Sequence, residues 1–107
     1  MPAINIANLT FPFLKDLHAF LDGIRTMPDH GEFQRLANSA PVSDILYAII
    51  TTRPKKRDEL GGREVVGWTR RKNGPHWAFH AELADGSLLD LGVNNGDISE
   101  FVRFWPG

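Results

Sequence analysis

Residues 67–93 read GWTRRKNGPHWAFHAELADGSLLDLGV, and the period of this stretch decides the fold. Apolar and polar residues alternate through it, as they do in strands with one buried face. Asn73-Gly74 is a strong hairpin signal, and a two-residue loop there pairs Arg71 with His76, Thr69 with Ala78 and Trp68 with Phe79. The next turn admits two readings. A two-residue Asp85-Gly86 loop puts Asp90 on the face of Trp77 and Phe79, whereas a three-residue Ala84-Asp85-Gly86 loop with Gly86 left-handed moves it to the opposite face. Only the longer loop sorts the residues. One face then holds Val66, Trp68, Trp77, Phe79, Leu83, Leu89, Leu91 and Val93, and the other holds Thr69, Arg71, His76, His80, Glu82, Asp90 and Asn94. In that register His80 faces Asp90 and His76 faces Asn94, with opposed Cβ atoms about 5 Å apart. The expectation is a three-stranded antiparallel meander over 63–93.

Outside this stretch the period is that of a helix. Leu14, Leu17, Leu21 and Ile24 recur at three and four positions behind a Thr10 cap, with Gly23 and Pro28 near the end. Asp29 and Glu32 form a capping-box pattern before Phe33, Leu36 and Ala37, in a helix that must stop before Pro41. Residues 43–52 fit two conformations: Ile45, Leu46, Ile49 and Ile50 make a helical stripe behind Ser43, while Ile49, Ile50, Thr51 and Thr52 suit a buried strand. The segment RPKKRDELGG, 53–62, has the chemistry of a loop. Asp97 and Glu100 form a further capping-box pattern before Ile98, Phe101, Val102 and Trp105, which predicts a short C-terminal helix ended by Pro106, with an edge strand as the alternative. The fold class is therefore α+β, with N-terminal helices packed on one face of a small antiparallel meander and a short helix at the end. At 107 residues and 42% apolar composition the chain, 1–107, reads as a single domain that needs nearly all its large apolar residues for one core.

Composition narrows the function classes. With no cysteine there is no disulfide framework, no thiolate metal ligand and no cysteine nucleophile. No apolar run approaches the roughly 18 to 20 residues of a membrane span, and MPAINIANLT lacks the basic flank and apolar core of a secretory leader, so the expected location is cytoplasmic, away from membranes. The net charge of -1 hides a division, because Arg53, Lys55, Lys56, Arg57, Arg63, Arg70, Arg71 and Lys72 face only Asp58, Glu59 and Glu64 within residues 53–72. Such a strip suits an anionic partner, either RNA or an acidic protein surface; a solvated loop and strand is the plainer reading.

The polar sheet face is the part that resembles chemistry. A histidine opposed by aspartate has its tautomer fixed and its imidazolium stabilised, as a general base requires. The same residue types also populate any wet sheet face. His76 and His80 lie four strand residues apart, about 13 Å, too far to share one zinc ion or one scissile bond. Were 75–84 a helix, the two would face one metal; in the strand no metal site is expected.

The segment GPHWAFHAELADGSLLDLGVNNGDISEF resembles the C-terminal part of papain-fold toxin domains, in which a histidine strand, a tight turn and an aspartate strand follow helices. The resemblance implies that His76 matches the family's histidine and Asp90 its orienting acid. The family's cysteine, set near a helix N-terminus where its thiolate is favoured, has no counterpart; only Thr10, Ser39 or Ser43 lies near such an end. An inactivated papain-like domain is one reading that follows. The architecture is also similar to barnase-like toxin ribonucleases, in which helices precede an antiparallel sheet carrying His, Arg and Glu. That analogy implies a small toxin- or effector-like hydrolase cleaving RNA without metal or cofactor. His76, His80, Asp90, Glu82 and Arg71 would form the active face, and Arg53, Lys55, Lys56, Arg57, Arg70 and Lys72 would hold the RNA backbone. A strand at 43–52 would extend the sheet toward the ribonuclease plan, and a helix would favour the papain-like one. The rival class is a non-catalytic binder, such as an anti-CRISPR or immunity-type protein acting through its charged surface.

Overall fold

A computed structural model describes residues 3–106. The chain opens with a hairpin, β1 (Ile4–Ile6) and β2 (Leu9–Phe11), joined by Ala7 and Asn8, both at positive φ. Two left-handed residues are what a tight hairpin loop requires, and Ile4, Ile6 and Phe11 turn inward from it. Thr10, the expected helix cap, lies in β2 and its hydroxyl donates to Asn5 Oδ1. Helix α1 (Leu14–Arg25) starts instead behind Phe13, whose N–H donates to the Asp16 carboxylate at 3.0 Å.

Helix α2 (His30–Ala37) starts at Asp29, which accepts from the Glu32 N–H as the sequence indicates, and ends before Pro41. The ambiguous segment is a helix, α3 (Val42–Thr52), with Ile45, Leu46, Ile49 and Ile50 fully buried. A central helix can bury β-branched residues as well as a strand can, so composition alone did not discriminate. The expected loop at 53–62 contains a further helix, α4 (Pro54–Leu60), with Pro54 at its first turn and Gly61 left-handed at its end. Those two residues punctuate a short helix rather than break one.

The meander consists of β3 (Val65–Asn73), β4 (His76–Leu83) and β5 (Leu88–Leu91) in spatial order β3-β4-β5. The three-residue turn forms as expected, with Gly86 at φ +87° and His80 directly opposite Asp90. The first turn differs. Its loop is Gly74-Pro75, so that Asn73 pairs with His76, Lys72 with Trp77 and Trp68 with Ala81. A loop at Asn73-Gly74 would have placed Pro75 in the closing pair, where its missing N–H could not donate. The slip is two residues, which preserves the faces. A bulge between Val65 and Gly67 turns Val66 out to 61% exposure, although alternation alone puts it on the apolar face. The outer edge of β3 is closed at Trp68, whose N–H donates to Asn38 Oδ1 at 2.7 Å and whose carbonyl accepts from Asn38 Nδ2 at 3.0 Å.

Helix α5 (Asn95–Phe104) is capped one turn earlier than the sequence suggests: Asn94 and Asp97, rather than Asp97 and Glu100, exchange side-chain and backbone bonds. The apolar face of the sheet, with Trp68 and Phe79 buried, packs against Phe33 of α2 and Leu17 and Leu21 of α1, while Phe101 and Ile98 close the core from α5. The radius of gyration, 13.1 Å, fits one compact body of this length.

Candidate active-site cleft

Strand β5 is four residues long and β4 eight, so the sheet ends on that side beyond Phe79. The chain leaves β5 at Gly92 for the start of α5, and the space beside the outer half of β4 is bounded by α1. The result is a cleft of 490 Å³ lined by His18, Asp22 and Arg25 of α1, His76, Trp77 and Ala78 of β4, and Asp90, Leu91, Gly92, Val93, Asn94 and Asp97. A volume of this order is typical of small-ligand sites.

Ion pairs and backbone bonds hold the walls in place. The Arg25 guanidinium donates to the Trp77 carbonyl at 2.6 Å and is paired with Asp22, which ties α1 to the unpaired edge of β4. Opposite, Arg53 is only 6% exposed and donates to Asp97 at 3.0 Å, to Glu100 at 3.0 Å and to the Gly92 carbonyl at 3.1 Å. It thereby anchors the start of α5 and the Asp97 carboxylate. Asp22 and Asp97 thus each have a guanidinium, whereas Asp90 has no ion-pair partner among the described residues.

The structure divides the residues singled out by sequence. His76 and Asp90 share the cleft. His80 lies across the strand pair from Asp90, outside the cleft lining, with Nδ1 3.2 Å from the Ala78 carbonyl. A carbonyl only accepts, so this bond puts the proton on Nδ1. Glu82 lies across from Gly67, where a Cβ would come within 3.3 Å of its Oε1, and it is six positions along the strand from His76. Arg71 is exposed and opposite Ala78. Asn94 does not pair with His76 in the ladder, because β5 has ended and Asn94 caps α5, but both line the cleft.

The basic strip does not form one exposed surface. Arg53 is internal, as described above. Arg70, 4% exposed, stacks against Phe33 and Trp77 with its Cζ 4.6 and 4.3 Å from the two ring centroids. It donates to the Arg25 and Met27 carbonyls and, at 3.3 Å, to His30 Nδ1. Burial pulls its pKa below the ordinary arginine value, with Asp29 opposing the shift. Alternation already placed Arg70 on the face of Trp68, a signal the charge count obscured. Trp77 is half-buried between Arg70 and the cleft.

Three α1 residues of the cleft, His18, Asp22 and Arg25, escaped sequence reading. Their spacing of four and three marks a polar stripe beside Leu14, Leu17, Leu21 and Ile24, a pattern that reads equally as the wet flank of an amphipathic helix. Two imidazoles from separate elements therefore share one cleft with carboxylates, and among the described residues no serine, threonine, cysteine, lysine or tyrosine lines it. Among the described residues no group of three or more His, Asp and Glu is placed to hold a metal ion, and no helix is long and apolar enough to cross a membrane. Compared with known proteins, the chain matches no family, no characterised sequence and no solved structure.

Proposed function

We propose that the protein is a small metal-independent hydrolase that cleaves RNA by proton transfer in this cleft, with His76 and His18 as the acid–base pair. The observation that carries the reading is a cleft with two histidines on facing elements beside carboxylates and, among the described residues, no hydroxyl, thiol or amine side chain. A histidine pair suits a substrate that carries its own nucleophile, and the ribose 2′-hydroxyl is one. A neutral histidine takes the 2′-OH proton, O2′ attacks phosphorus, and the P–O5′ bond breaks as the protonated histidine delivers a proton to O5′. Arg25, which lines the same cleft, supplies positive charge.

The helix at 42–52 agrees better with the papain-like plan than with the ribonuclease one. Architecture does not assign chemistry, and a papain-like reaction would need a thiol, which a chain with no cysteine does not supply. Purified protein should cleave a single-stranded RNA but not its 2′-deoxy counterpart, with EDTA without effect. H76A and H18A should each lower the rate by a hundredfold or more while leaving the fold intact. Undiminished cleavage by both variants, or cleavage of the deoxy substrate, overturns the proposal.

A second reading, a non-catalytic binder, is favoured by a different region. Tyr47 and Val66, 52% and 61% exposed, line a groove of 260 Å³ between α3 and β3 with Ser43 and Asp44. If activity in cells survives H76A and H18A but is lost in Y47A together with V66D, the binder is the correct reading.

A further inference from the structure

We infer that the tip of the β3–β4 hairpin, through Arg71 and Lys72, is a clamp for the phosphates of a single-stranded nucleic acid, which it feeds toward His76. The inference rests on the RNA-cleaving reading of the cleft and names how its substrate is held. The cations of residues 53–72 occupy two ends of the sheet, since the nine-residue step from Arg63 to Lys72 along an extended chain is about 30 Å. At the α4 end Lys56 pairs with Glu59 at 3.2 Å, Arg57 with Asp58 at 3.8 Å and Arg63 with Asp85 at 3.3 Å, while Lys55 has no carboxylate within ion-pair distance among the described residues. At the hairpin end Arg70, Arg71 and Lys72 have no carboxylate within ion-pair distance among the described residues. Arg70 is internal and interacts with the Asp29 charge, which leaves Arg71 and Lys72 as the exposed cations of this end.

Across β4, Arg71 and Lys72 lie one strand away from the cleft. The ladder pairs Arg71 with Ala78, Lys72 with Trp77 and Asn73 with His76, and Ala78, Trp77 and His76 all line it. The Lys72 ammonium lies 5.4 Å from the Trp77 ring centroid, so a phosphate drawing Lys72 away alters the environment of an indole. A cleft of 490 Å³ walled by α1 takes single nucleotides and excludes a double helix.

Binding is tested apart from cleavage with H76A and a short fluorescein-labelled oligouridylate, and with the wild type and its 2′-deoxy analogue. The expected result is salt-dependent binding that also changes tryptophan fluorescence. R71A/K72A should weaken it at least tenfold and reduce the slope of log K against log salt by about 1.4, at 0.7 per phosphate contact on a single strand. R71Q/K72Q, which keeps side-chain bulk, should behave alike, and K55A/R57A should bind as tightly as the parent. No salt-dependent binding, an equal or greater loss in K55A/R57A, or equal affinity for duplex overturns the inference. Clamp-dependent binding with no cleavage by the wild type would instead confirm the clamp and overturn the reading of the cleft.

Discussion

Gly92 shows how closely the cleft is fitted at the level of single atoms. A Cβ there would run into the Asp97 carboxylate, which cannot give way because Arg53 and the Asn94 N–H already hold it. Gly92→Ala should therefore destabilise the protein by about 1–3 kcal/mol, readable in chemical denaturation, and should lower cleft activity more than Ala78→Gly does. At the other turn, bonds from the Ser87 hydroxyl and N–H, together with Arg63, hold the Asp85 carboxyl below its ordinary value of 3.8, to about 2. A depressed folded-state value means that the turn's contribution is fully present above about pH 4 and is lost as pH falls through 2. Carboxyl NMR titration should show this, with Ser87→Ala moving Asp85 back up. These bonds follow from an Asp-x-Ser turn that the sequence displays; the Gly92–Asp97 approach is long-range and left no local mark.

Elements were legible where one force dominated. The alternation in 76–83 and the turn ending at Gly86 specify both strands and their register, because a one-residue slip would bury His80 and expose Phe79. Phe79→Ala should accordingly cost about 3–5 kcal/mol in denaturant unfolding. Legibility failed where two rules competed. Pro75 overruled the Asn-Gly signal, and the N-terminal hairpin was hidden because Ala7 gives no hint of positive φ. Charge concealed α4, whose proline and glycine punctuate both ends. Arg53, counted by sequence as a surface cation, is what joins the start of α4 to α5. Arg53→Ala leaves two carboxylates unpaired and should cost about 2–3 kcal/mol, less than the 3–5 of a fully buried pair because Glu100 is 37% exposed. Hydrogen exchange should show the loss first in α5.

For the molecule as a whole, half of the cleft could be found in the sequence and half could not. His76 and Asp90 belong to neighbouring strands, whose pairing the turns reveal, while His18 and Arg25 meet them only because the helices fold back over the sheet end. No local rule reports that meeting. The mismatch between the eight residues of β4 and the four of β5 has a further effect on how the protein tolerates change. One wall of the cleft is the bare main chain of β4, whose Trp77 carbonyl receives Arg25. Replacing any one side chain leaves that peptide edge in being. Insertions or deletions in 88–93 are a different matter: two more residues of strand would pair with the edge and fill the space. The open edge is thus robust to point substitution and vulnerable to changes of length, so libraries that vary residue identity around it should retain the cavity while those that vary the 88–93 spacing should lose it.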